Sequence, residues 1–235
     1  MSYVMLSLAT LEVIALVWAM RQWFSQKGNL ALFLALTILL AIAFDAFTNG
    51  IGRFMGHGEA LETLIRLRMI WYYLTMPFLE PIAVLLLGYA GVSWERHTGV
   101  ILVVTVVAVA VGLYQIVAYW DMQLYPSCIA DIERYVLKVF PDQACRPEDV
   151  GLGDFKLSPV VPVSAMIFLL SSFVLVWKTQ LYWVTVLLAV SNVVSAVVVQ
   201  LPHEGLMTFI SYPFDGVLGF LICLASIKLY ERRAA

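Results

Sequence analysis

The stretch EALETLIRLRMIWYYLTMPFLEP, residues 59–81, decides how the whole chain is read. It carries Glu62, Arg66, Arg68 and Glu80 into a run that is otherwise aliphatic and aromatic. At 100° per residue, Glu62, Arg66, Tyr73 and Glu80 share one stripe of a helix, and Arg68, Tyr72, Thr75 and Leu79 fall on nearly the opposite one. Polar groups on two faces leave no face comfortable against lipid. Neighbours are therefore expected on both sides, and this helix is expected to be the most buried in the protein. Pro77 and Pro81 place a bend beside Glu80.

The rest of the chain supplies those neighbours. Of 235 residues, 62% are hydrophobic and 13% charged, with a mean hydropathy of +0.90. Soluble domains carry about 25% charged residues, so this chain belongs in a bilayer. A net charge of -2 without a basic cluster gives no phosphate-tracking surface, and no nucleic-acid partner is expected. Seven apolar segments stand out, at 3–23, 30–49, 62–90, 98–120, 159–177, 181–200 and 207–230. Each has at least about the 20 residues a spanning helix needs, and 62–90 is the longest. Hydrocarbon forces the backbone to satisfy its own hydrogen bonds, and none of these runs alternates as a porin strand does. The expected fold class is all-α: a polytopic membrane protein, seven transmembrane helices in one bundle, forming a single domain over 1–235. The run from Tyr3 to Met20 lacks a preceding basic residue and reads as the first spanning helix, not a removed signal peptide.

Orientation follows from the short connections. Arg21, Lys27, Arg96, Lys178, Lys228, Arg232 and Arg233 would share one side. The excess of basic residues on the cytoplasmic side then predicts the N-terminus outside and the C-terminus inside, in the inner (cytoplasmic) membrane. The one long connection, 121–158, has seven acids against four bases and holds Cys128 and Cys145. An extracytoplasmic disulfide between them is expected, while Cys223 lies in an apolar run. Within that loop Ile129, Ile132, Tyr135, Val136, Val139 and Phe140 fall at helical spacing. The pattern predicts a short amphipathic helix lying over the mouth of the bundle, held by a bridge contributing about 3 kcal/mol.

Charged groups inside spanning segments are costly and usually face the interior, which makes each a functional candidate. Here they are Glu12, Asp45, Arg66, Arg68, Glu80 and Asp215. Asp45, Arg68 and Asp215 are expected at one level in the outer half, with Arg68 paired to Asp45 or Asp215 and Glu80 turned to a different neighbour. Arg66 has Glu62 one turn away. Ser191, Asn192 and Ser195 can tie helices together or reach Glu12. The candidate polar cluster is thus Arg68, Asp215, Asp45, Glu80, Glu12, Tyr72, Thr75 and Asn192. His57, Glu59, His203 and Glu204 lie in connections on one side, but without ligand spacing, and no metal is expected. No catalytic motif marks a Ser/His/Asp or Cys/His grouping.

Arg68, Trp71, Tyr72, Thr75 and Pro77, with Asp215 on the last helix, resemble the third and seventh helices of the microbial rhodopsins. The resemblance implies seven helices with the N-terminus outside. In that family a carboxylate stands three residues after the arginine and a retinal-bearing lysine four after the aspartate; here those positions hold Trp71 and Gly219. Val184–Gln200 also lacks the aromatic lining of their sixth helix, and Lys228 lies at the inner end. No covalent cofactor is therefore expected, and the resemblance carries the architecture alone.

Four functions follow as expectations. The first is binding of a small or apolar ligand, a lipid or isoprenoid, in a polar-lined pocket between helices three, six and seven. The second is a proton or ion pathway through Glu12, Asp45, Glu80 and Asp215. The third is an accessory subunit of a membrane complex, meeting a protein partner or a second copy of itself within the lipid bilayer. The fourth is a lipid-modifying enzyme at the outer surface using His57, Glu59, His203 and Glu204.

Overall fold

The computed structural model describes residues 1–93, 98–153, 160–180, 182–200 and 205–234, leaving aside the side chains of residues 119, 160, 161, 195–200, 205–211 and 234. Arg96, His97, His203, Glu204 and the side chain of Ser195 lie outside the described residues.

Helix α1 (Ser2–Ser25) turns back into α2 (Leu30–Met55) at Asn29. The Asn29 side chain accepts from the Leu32 N–H at 3.1 Å, capping α2, and its Nδ2 donates to Ser226 O at 2.9 Å. One residue so caps a helix and ties it to the last one. α2 ends at Gly56, whose φ of +68° suits glycine.

The charge-bearing stretch from Glu59 runs on as α3 (Glu59–Thr75), a 3₁₀ turn at Met76–Phe78 and α4 (Leu79–Tyr89). Pro77 sits in the turn, where its missing N–H and fixed φ tighten the backbone without ending the segment. Then come α5 (Thr98–Tyr119), α6 (Val160–Lys178), α7 (Trp183–Gln200) and α8 (Gly205–Ala234). Among the described residues five helical segments are long and apolar enough to cross a membrane: Ser2–Ser25, Leu30–Met55, Glu59–Tyr89, Thr98–Ala118 and Tyr212–Arg233. Pro162–Lys178 and Trp183–Val194 are shorter apolar helices. The chain thus has the make-up of a multi-pass membrane protein.

The core sits around α2. It packs against α1, α3, α4 and α8, and its end meets the loop. Leu32, Leu39, Ile82, Leu86, Phe168, Leu188 and Ile222 are wholly buried there. The expectation that the Glu59–Pro81 helix is the most buried is corrected by this arrangement. The best apolar window of Leu30–Met55 is 61% buried, against 56% for Glu59–Tyr89. α3 does contact both α2 and α5, but its Leu67 is 52% exposed. Small and aliphatic residues, not charges, let α2 be surrounded.

The loop is corrected too. Where an amphipathic helix was expected over 129–140, the chain forms an antiparallel hairpin of β1 (Tyr125–Ile129) and β2 (Ile132–Val136). Ala130 and Asp131 make the two-residue turn, with Ala130 at φ 53°. Ile129 and Ile132, three apart and so on one face of a helix, are instead direct partners across the hairpin. Ser127 and Ile129 on β1, and Ile132 and Arg134 on β2, are buried in alternation with their neighbours. Pro126 and Pro141 flank the segment, and the Cys128–Cys145 disulfide is present.

Candidate functional site

The hairpin lies over the ends of α1, α2 and α8. Ile129 and Ile132 pack with Met5, Ala9, Ala46 and Tyr212. Asp131 at the turn accepts from the Ser2 N–H at 3.1 Å and from Arg53 Nη1 at 2.8 Å, and its carbonyl accepts from Ser2 Oγ at 2.8 Å. The Asp131 carboxyl is held well below the usual carboxylate range, first by the hydrogen bond from the N-terminal ammonium, then by those from Ser2 and Arg53. On the other strand the backbone runs so close to α2 that a Cβ at Gly52 would lie 1.8 Å from Glu133 O. Any larger residue at 52 would lift the hairpin.

Beneath this cover is a polar cluster between apolar helices. On α3, Arg68 Nη1 donates to Asp45 Oδ1 of α2, both side chains being about one fifth exposed. Asn49, one turn after Asp45, donates to Asp45 Oδ1 at 3.0 Å, to Asp45 O at 2.8 Å and to the Tyr212 hydroxyl at 3.0 Å. Glu12 of α1 lies within electrostatic reach of both Asp45 and Asp215. Its side chain is packed on Gly216 of α8, where a Cβ would come 2.5 Å from Glu12 Oε1. Glu12 is 5% exposed, and neither carboxyl oxygen has a hydrogen-bond partner among the described residues. Tyr72 is within electrostatic reach of Asp215, Asp45 and Arg68.

A second guanidinium enters from the hairpin. Arg134 is 6% exposed, donates to Gln143 Oε1 at 3.3 Å, and interacts electrostatically with Tyr212, Arg68 and Asp45. Burial, the largest cause, pulls it below its ordinary value, although a guanidinium remains charged throughout the physiological range. The cluster therefore sets three carboxyl groups, Glu12, Asp45 and Asp215, against two guanidinium groups, Arg68 and Arg134. With all three carboxyl groups ionised the cluster would lack one positive charge, and a single proton on one of them makes the balance.

The remaining residues of the expected set stand elsewhere. Glu80 is half-buried and accepts a hydrogen bond from Ser164 Oγ of α6 at 2.9 Å. Thr75 is buried but bonds its own helix, donating to Trp71 O at 2.9 Å. Asn192 donates to Ser172 Oγ at 3.0 Å and Leu188 O at 3.2 Å, fastening α7 to α6. Arg66 faces away from Arg68: its Nη2 donates to Glu62 Oε1 at 2.8 Å and its Nη1 to Met122 O at 3.1 Å. It borders a cavity of about 200 Å³ between α3 and α5, lined also by Met69, Ile70, Tyr73, Ile116 and Trp120.

Arg134, Asn49 and Tyr212 were not among the residues expected at the site. Asn49 and Tyr212 carry no formal charge, and Arg134 lies in a loop whose charges read as solvated. Against protein-family models, curated proteins and solved structures, the chain shows no match.

Proposed function

We propose that this is a seven-crossing membrane protein, N-terminus outside, that passes protons through the cluster of Glu12, Asp45, Asp215 and Arg68 beneath the hairpin. The observation that carries the reading is Glu12. An ionised carboxylate without a partner in an apolar interior costs many kcal/mol, so such a group holds a proton or a cation. Glu12 leans on Gly216, the residue after Asp215, where any side chain would meet its carboxyl group. The Arg68–Asp45 pair serves as the fixed charge past which the proton moves, and Arg134 in the hairpin stands at the entrance. Proton relays in pumps and transporters are assembled from such interior carboxyl groups.

The orientation has its own support. Gln26 Nε2 donates to Glu231 Oε1, and Thr179, Lys228 and Arg232 border one surface hollow. The α1–α2 turn, the α6–α7 turn and the end of α8 so gather Arg21, Lys27, Lys178, Lys228, Arg232 and Arg233 at the end away from the hairpin. That is the pattern of a cytoplasmic face, with the disulfide on the oxidising side. The test is purified protein in sealed liposomes under an imposed potential. Acidification read by an internal dye is expected for the wild type and not for Glu12→Gln; a wild type that passes no more protons than empty liposomes contradicts the reading.

A second reading has one observation in its favour, the cavity beside Arg66. Its apolar walls between α3 and α5 suit a lipid or isoprenoid chain, with Arg66 at the polar end. Mass spectrometry of gently extracted protein should then find a lipid that Ile70→Trp, which fills the cavity, excludes.

A further inference from the structure

We infer that His57, Cys128 and Cys145 form a thiol-gated site for a thiophilic divalent cation, with Zn²⁺ as its representative, open when the Cys128–Cys145 bridge is reduced. One ligand atom from each of the three residues lies within 4.8 Å of the others. His57 Nε2 faces Cys145 Sγ at 3.8 Å. Tetrahedral zinc, with bonds of about 2.05 Å to nitrogen and 2.3 Å to sulfur, sets an N···S separation of about 3.6 Å. The histidine thus already stands at ligand distance from Cys145, and the two sulfurs, once the bridge is reduced, must move apart to about 3.8 Å.

The histidine is also prepared on its far side. Nδ1 is 3.1 Å from Glu133 Oε2, and the same oxygen accepts from the His57 backbone N–H at 3.1 Å. The Tyr135 ring meets the imidazole edge-on at 5.5 Å. A carboxylate that accepts a hydrogen bond from Nδ1–H fixes the tautomer with the Nε2 lone pair free and on the side of the sulfurs, which is how metal-binding histidines are oriented. The three groups come from separate places in the chain, the α2–α3 connection, β1 and the segment after the 3₁₀ turn at Pro141–Gln143, and the cysteines are only partly buried. A cation can therefore reach the site from solvent.

The chemistry balances with a dithiol as reductant. The dithiol gives two electrons and two protons to the bridge, the S–S bond breaks, two S–H groups form, and the reductant is left as its own disulfide. Zn²⁺ then displaces the two thiol protons to solvent, forming two Zn–S bonds and one Zn–N bond, with water in the fourth position. Two thiolates neutralise the ion. The bridge and the metal are thus alternative clasps for the same hairpin.

Co²⁺ is the probe, added to the full-length protein in detergent after reduction with a phosphine, which becomes its oxide by taking oxygen from water. A sulfur-to-cobalt charge-transfer band at one ion per chain, erased by Zn²⁺, is expected in reduced protein and not in oxidised protein. His57→Ala retains the bridge, seen as a mobility shift on reduction, but weakens Co²⁺ binding at least about tenfold; Glu133→Gln weakens it about 10-fold through the histidine. Absence of the band in reduced wild type overturns the site, as does an unchanged affinity in His57→Ala. Circular dichroism of the reduced wild type separates the cases: a hairpin lost on reduction and not restored by Zn²⁺ also counts against it.

Discussion

Glu12 and Glu80 are both single carboxyl groups carried into apolar helices, and the molecule treats them in opposite ways. Glu80 stands next to the 3₁₀ turn of Met76–Phe78 and has a hydroxyl from α6 aimed at it, Ser164 at 2.9 Å. Glu12 is more buried, lies against a glycine, has two other acids within electrostatic reach, and finds no donor among the described residues. A carboxylate met by a hydroxyl fastens two helices. A carboxyl group left without a donor beside two other acids is the one that the proposed pathway uses, and the hairpin packs near it, on Met5 and Ala9 of the same helix.

The largest effect is expected where the two acids are exchanged for amides. Glu12→Gln should lower proton flux into liposomes at least about tenfold, a barrier change of about 1.4 kcal/mol or more, while Glu80→Gln leaves flux within about twofold. Equal losses would erase the distinction. Next comes Gly216→Leu, which forces the α1–α8 contact apart at Glu12. It should destabilise by about 1–3 kcal/mol in thermal unfolding and reduce flux, where an equally large residue at exposed Val217 does neither.

On the other side of the comparison, Ser164→Ala leaves Glu80 without its donor. It should cost about 1 kcal/mol of stability, by denaturation in detergent, with flux unchanged. The smallest effect concerns the cover. Because the Asp131 carboxyl is held low in the folded protein, its contribution is fully present above the ordinary carboxylate value of about 3.9 and is lost as pH falls through the lower folded value. Hydrogen exchange of the hairpin amides should therefore stay slow at pH 4 in wild type, and be faster at neutral pH in Asp131→Asn.

Part of this is legible in the residues alone. The charge-bearing helix gave Arg68 and Arg66 opposite faces, and in the structure one turns to Asp45 and the other to Glu62 and Met122. The long apolar runs gave the helices. The hairpin could not be read, because Ile129 and Ile132 satisfy a helical spacing and a two-residue turn equally well. Nor could the burial of α2: a helix surrounded by others is made of Ala, Leu and Ile, as is one facing lipid. Arg134 stayed hidden for a different reason, since only the hairpin register turns it from the solvent toward Asp45 and Tyr212.

On the proposed pathway Glu12 carries an exchangeable proton inside the protein. Infrared difference spectroscopy on transfer from H₂O to D₂O reads this directly, through the carboxylic acid C=O stretch. A deuterium-shifted band that vanishes in Glu12→Gln and persists in Glu80→Gln is the predicted result; a band unchanged in Glu12→Gln would contradict the account.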